Sequence, residues 1–295
     1  MSTPEPSSPA EPFTLPARDG FPLAATRYPA QGPVQGLILV ACATGVPQGF
    51  YRRFASFASA QGYTVLTLDY RGIGLSRPAS LRGFEADFLD WARLDLAAAV
   101  DLLGREDLPL FLVGHSFGGQ ALGLLPNHAR VAAMHTFGTG AGWHGWMPRA
   151  EGLRVRALWA VAAPVIAGTK GYLAWSLLRM GEDLPLGVYR QWRRWCAYPR
   201  FFFDDPAMAD VAAGFSAVRT PIVAVNASDD PWATPRSRDA FMPGYRHSDW
   251  QAVDIAPHAL GSEPIGHMGY FRAHAQPLWQ QALDRFRAIG RGGSR

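Results

Sequence analysis

Short, predominantly apolar runs alternate along the chain with longer stretches whose apolar positions recur every three or four residues. The runs at 37–43, 63–70, 110–114, 131–137, 221–226 and 250–255 read as strands. Near-continuous apolar runs of this length mark strands covered on both faces. Helical periodicity fills 51–61, 88–104, 118–125, 234–242 and 277–289. This alternation predicts an α/β fold with a mostly parallel central sheet flanked by helices. Two further short runs, 13–16 and 23–28, flank Arg18-Asp19-Gly20 and predict an antiparallel pair ahead of the parallel series.

One interval breaks the rhythm. Positions 141–205 place about 65 residues between the sixth and seventh strands, far more than a crossover needs. This predicts a helical cap inserted after the sixth strand, with apolar helices near 157–168 and 172–178. The expected organisation is a tail at 1–12, a core formed by 13–140 and 206–290, a cap at 141–205 and a flexible C-terminus at 291–295. Six of the ten tryptophans fall in the insert: Trp143, Trp146, Trp159, Trp175, Trp192 and Trp195.

Composition narrows the reading. With 295 residues, 48% of them hydrophobic, the chain can bury a full core. Cys42 and Cys196 are far apart and have no ligand-spaced partners, which argues against a disulfide framework or a cysteine zinc site. A reducing, cytoplasmic setting is expected, since the first twenty residues also lack the apolar run of a secretory signal. The net charge is +4, yet nine Lys or Arg face three acids between 141 and 203, which is +6 there and −2 elsewhere. No basic run of five and no nucleic-acid motif occurs, so no nucleic-acid partner is expected. The cationic insert suits peripheral contact with an anionic membrane, or an acidic substrate, as well as it suits an ordinary solvated face. No cofactor is expected: no metal or flavin fingerprint is present, and Gly72-Ile73-Gly74 lacks the third glycine of a dinucleotide loop. Nothing in the sequence specifies an oligomeric state.

The candidate chemistry centres on Gly114-His115-Ser116-Phe117-Gly118, a G-x-S-x-G string between an apolar strand and a helix. Small flanking residues allow a sharp strand-to-helix turn that projects the serine hydroxyl beyond the sheet's carboxyl edge. Cys42 at a strand end is read as a small buried residue, and His115 as packing beneath the turn.

With Asp69-Tyr70-Arg71-Gly72-Ile73-Gly74-Leu75-Ser76, these residues resemble the α/β-hydrolase superfamily from about Phe13 to Ile289. Capped bacterial serine hydrolases of the serine aminopeptidase and monoacylglycerol lipase type are the nearest likeness. The resemblance implies an acyl-Ser116 intermediate, and the superfamily's aspartate-nucleophile chemistries do not fit a serine here. It implies an acid in the loop 227–232, where Asp230 is preferred over Asp229. It implies a histidine ahead of the last helix, where Gly266-His267 fits better than His258, and His274 falls in the helix itself. The expected oxyanion donors are the main-chain N–H groups of Phe117 and of Thr44, with Ala43 and Gly45 as neighbouring candidates. Trp143, Trp146 and Trp175 are the expected pocket walls. The leading expectation is a serine hydrolase cleaving a carboxylic ester with a hydrophobic acyl group. An amidase or peptidase, an acyltransferase and a non-catalytic scaffold stand as alternatives on the same fold.

Overall fold

A computed structural model describes residues 10–261 and 263–292. Eight strands form one sheet: β1 Glu11–Pro16, β2 Pro22–Tyr28, β3 Gly36–Ala41, β4 Tyr63–Leu68, β5 Leu110–His115, β6 Val131–Phe137, β7 Ile222–Ala227 and β8 Trp250–Ile255. Their order is β1-β2-β4-β3-β5-β6-β7-β8. Only the pairings β1–β2 and β2–β4 are antiparallel. β3, β4, β5 and β7 are buried along their whole length, as their apolar runs require, whereas the edge strand β8 is half solvated. The tail expected over 1–12 ends sooner than anticipated, because Glu11 and Pro12 pair with Arg27 and Thr26 in β1. Residues 1–9 lie outside the described residues.

Helix α1 (Arg52–Ser59) packs on β4 and on the last helix. The next helix joins Phe88–Asp90, a wider-wound Trp91–Leu96 and Ala97–Leu103 into one element, α2. The helix after β5, α3, is only Phe117–Gln120, followed by a 3₁₀ turn over Leu122–Leu124, and so falls short of the expected 118–125. Pro126 forces Leu125 into an extended conformation, and Gly118, Gly119 and Gly123 hold little helix propensity.

Between β6 and β7, Arg149–Ala157, the wide turn Leu158–Ala162 and Ala163–Lys170 make one long helix, α4. Pro164 has no N–H to donate, and the widened turn just ahead of it relieves the clash of its ring with the preceding turn. Gly171, left-handed at φ 79°, ends α4. The helix expected near 172–178 is instead a single 3₁₀ turn, Trp175–Leu178, and the second long helix of the segment is α5, Leu186–Trp195. Val188, Tyr189 and Trp195 are buried on one face of α5, while Arg190, Arg193 and Arg194 are exposed. Helices α6 (Ala209–Ala217), α7 (Pro235–Phe241) and α8 (Gln276–Gly292) complete the chain. Arg291 and Gly292, expected to be flexible, belong to α8, and 293–295 lie outside the described residues.

The turn after β4 ties these parts together. Asp69 accepts from the main-chain N–H groups of Gln48 at 2.6 Å and Leu75 at 3.0 Å. Arg71 bridges Asp95 of α2 at 2.6 Å and Asp19 of the β1–β2 turn at 2.7 Å. Glu182 of the inserted segment accepts from Gly74 N–H at 2.6 Å. Asp95 is wholly buried, so removing the Arg71 side chain leaves it with no charge partner and only the residue 71 N–H, at 2.9 Å, to donate to it. Arg71→Ala should therefore cost about 3 kcal/mol in urea unfolding. Asp95→Leu added to it should recover part of that loss; a double variant no more stable than Arg71→Ala would show that the buried charge is not the cause.

Candidate active site

Ser116 sits at φ 52°, ψ −114°, a strained conformation that turns β5 directly into α3. Its main-chain N–H donates to Phe137 O at 3.0 Å. The turn closes because its flanks are glycines: a Cβ on Gly118 would run into the Ala41 carbonyl, and one on Gly114 would lie 2.6 Å from Gly118 O.

The hydroxyl of Ser116 lies 3.1 Å from His267 Nε2, and His267 Nδ1 lies 2.8 Å from Asp230 Oδ2. A carboxylate can only accept, so Nδ1 carries the proton and Nε2 is free to accept from Ser116. Asp230 is fully buried yet well supplied with donors. The Trp232 and Ala233 N–H groups reach Oδ1 at 2.9 Å each, and the Tyr270 hydroxyl reaches Oδ2 at 3.3 Å. Burial works against the charge, but His267 and these N–H groups outweigh it and hold Asp230 below the usual carboxylate range. Burial also disfavours a charged His267, yet Asp230 beside it lifts the imidazole above its ordinary value.

The neighbouring candidates have other positions. Asp229 accepts from Ile265 N–H at 2.9 Å and Gly266 N–H at 3.2 Å, gripping the loop that carries His267. His258 occupies an exposed turn after β8, and His274 pairs with Glu263 at 3.1 Å. Gly138 is left-handed at φ 59°, and a side chain there would press on Tyr270 and Asp230.

A second chain of hydrogen bonds runs beneath the first. Ala43 N–H donates to Tyr51 Oη at 2.8 Å, Tyr51 Oη lies 2.9 Å from His115 Nδ1, and His115 Nε2 lies 2.8 Å from His267 O. The carbonyl at one end only accepts and the amide at the other only donates. Nε2 of His115 is therefore the protonated nitrogen, and Tyr51 donates to Nδ1. Burial, helped by the nearby His267, drives the His115 pKa down to about 3, so the ring stays neutral.

This chain bears on the oxyanion candidates. The Ala43 N–H is occupied by Tyr51, leaving Thr44 and Gly45, which form the turn closed by Val46 N–H on Ala43 O. Thr44 lines the cavity over Ser116, and Phe117 N–H begins α3, where no earlier turn offers it an acceptor.

A cavity of about 410 Å³ opens over Ser116 and His267, walled by Trp175, Trp192, Trp232, Met180 and Val46. Of the tryptophans expected there from sequence, Trp175 lines it. Trp143 and Trp146 do not: they pack on one another with ring centroids 5.2 Å apart, and the Trp146 indole donates to Pro199 O at 2.7 Å. Trp192 and Trp232 take those places. Trp232 follows Asp230 by two residues, which was the sequence signal for its position.

No curated protein matches this chain. Solved structures similar in fold include the monoglyceride lipase of Saccharomyces cerevisiae, in a complex with a substrate analogue. It is 16% identical, with 98% of this chain and 99% of that one covered at a TM-score of 0.70. A thermophilic esterase from Thermogutta terrifontis is 16% identical, with 95% and 99% covered at a TM-score of 0.59. Residues 37–285 match the family model described as the alpha/beta hydrolase family, and the chain, with its β3–β8 core, belongs to that family.

Proposed function

We propose that the protein is a serine hydrolase that cleaves a carboxylic ester with a hydrophobic acyl group. The reading is carried by the Ser116–His267–Asp230 chain at the floor of a tryptophan-walled cavity. His267 Nε2 takes the Ser116 proton as Oγ attacks the acyl carbon, and Asp230 steadies the imidazolium. The N–H groups of Phe117 and Thr44 receive the developing oxyanion. His267 then returns the proton to the leaving alcohol as the acyl–oxygen bond breaks. Water, deprotonated by the same imidazole, releases the acid. The segment 141–205 acts as the cap that supplies Trp175, Trp192 and Met180, and fold neighbours that include a lipase and an esterase support an ester over an amide.

A fluorophosphonate should label Ser116, and Ser116→Ala should lose both label and turnover; a label on another serine defeats the mechanism. Asp230→Asn should lower kcat about 10³–10⁴-fold. Asp229→Asn, which keeps an acceptor for the loop, should cost less than about tenfold. Catalysis needs neutral His267, whose pKa is raised, so the acid limb of kcat/KM should lie above pH 6.5 in the wild type. With Asp230 neutralised, only burial acts on the ring, and the limb should move to lower pH; an unmoved limb assigns it to another group.

Apolar walls reward chain length by about 0.8 kcal/mol per buried methylene at best. On p-nitrophenyl esters from acetate to dodecanoate, kcat/KM should therefore climb until the cavity fills. Trp192→Ala should push the optimum to longer chains, while Trp143→Ala should leave the optimum where it is. A flat profile would mean that the cavity does not hold the acyl chain.

The exposed face of α4 favours contact with an anionic lipid surface. Leu153, Val161 and Val165 are more than 60% exposed, and Ala157 and Ala160 lie on the same face between them. Arg156 and Lys170 of α4 are exposed as well. No helix among the described residues is long and apolar enough to cross a membrane. The protein should co-sediment with vesicles rich in phosphatidylserine, and Val161→Glu with Val165→Glu should abolish this; equal sedimentation with neutral vesicles would remove the electrostatic part.

A further inference from the structure

The tryptophan cavity does not end at its walls. Val46, Gly181 and Met268 line both it and a wider groove of about 1020 Å³ outside. The groove is apolar in its depth, at Pro47, Phe50 and Phe271, and carries Arg52, Arg53 and Arg272 along its exposed sides.

Its charges are not balanced. Three arginines face two acids there, and neither acid pairs with an arginine: Glu182 accepts from Gly74 N–H at 2.6 Å and Glu263 lies 3.1 Å from His274. The guanidinium groups of Arg52, Arg53 and Arg272 make no ion pair with another described residue. Three fork-shaped donors of one sign therefore flank a groove that adjoins the cavity over Ser116 at Val46, Gly181 and Met268. Guanidinium forks match the oxygens of a phosphoryl group, and several on one groove favour a dianion over a single negative charge.

We propose that this groove recognises a phosphoryl group on the alcohol portion of the substrate, so that the preferred ester pairs an acyl chain in the tryptophan cavity with a phosphorylated leaving group outside. The proposal rests on the ester-hydrolase reading for its chemistry but not for its binding. All three arginines are exposed, so solvent screens each contact and the preference should depend on salt.

The test compares 1-octanoylglycerol with 1-octanoylglycerol 3-phosphate, both kept below the concentration at which they aggregate. At low salt, kcat/KM should favour the phosphate ester by about tenfold, and the ratio should shrink at 250 mM salt. Arg52→Gln with Arg53→Gln, and separately Arg272→Gln, should each bring the ratio towards one. Arg246→Gln, which lines neither cavity, should leave the ratio as it is. Calorimetric binding of the same two ligands to Ser116→Ala reads recognition without turnover. If neither ester is cleaved but the phosphate ligand still binds more tightly, the hydrolase reading fails and the groove assignment stands. Equal binding and equal kcat/KM, or a preference that survives loss of all three arginines, overturns the proposal.

Discussion

The proposed chemistry depends on one residue, Ser116, being held where L-amino acids rarely sit. A serine at φ 52° costs about 1–3 kcal/mol of backbone strain, which the surrounding structure must overcome. It does so with contacts that only glycine allows: Gly118 lies against the Ala41 carbonyl of β3, and Gly114 lies under the first turn of α3. The N–H of Ser116 is secured by Phe137 of β6. The neighbouring strands β3 and β6 therefore fix Ser116 from either side, and the parallel sheet serves as its clamp. The short α3 fits this role, since the turn needs one tight helical start and not a long helix.

The second constraint is mutual alignment of loops that are distant in sequence. His267 and the loop after β3 must both be placed to within a fraction of an ångström of Ser116. The buried chain Ala43–Tyr51–His115–His267 gives them a common reference, since one of its members, His115, is the residue next to Ser116. Its direction is fixed by a carbonyl at one end and an amide at the other. A neutral His115 matters to the proposed mechanism, because its ring lies 5.3 Å from the His267 ring and a second charge would oppose the imidazolium that mechanism forms.

The sheet was legible because parallel strands buried on both faces must be apolar throughout, and 37–43 or 110–114 can hardly be anything else. The position of Ser116 was legible because the glycine spacing is a steric necessity of the turn. Less of the inserted segment could be read. Apolar stretches near 157–168 and 172–178 suggested two helices, yet α4 already begins at Arg149, runs through the widened turn ahead of Pro164 and stops at Gly171, and Leu173 pairs instead with Leu184. Which tryptophans face the serine depends on the rotation of α5 and on the acid loop, and neither periodicity nor composition encodes it. Asp229 and Asp230 were hard to separate for a related reason. Both belong to the same apparatus, one gripping the histidine loop by its main chain and the other gripping the histidine ring.

The turn Asp69–Ser76 shows how a motif can be recognisable from sequence while its purpose is not. None of its side chains lines the cavity over Ser116. Asp69 instead anchors Gln48, just beyond the loop that carries Thr44, and Gly74 N–H holds Glu182 of the inserted segment. The same Glu182 stands on the groove outside the cavity, next to Gly181, which lines both spaces. One turn therefore sets the floor of the site through β3 and positions its entrance through the insert.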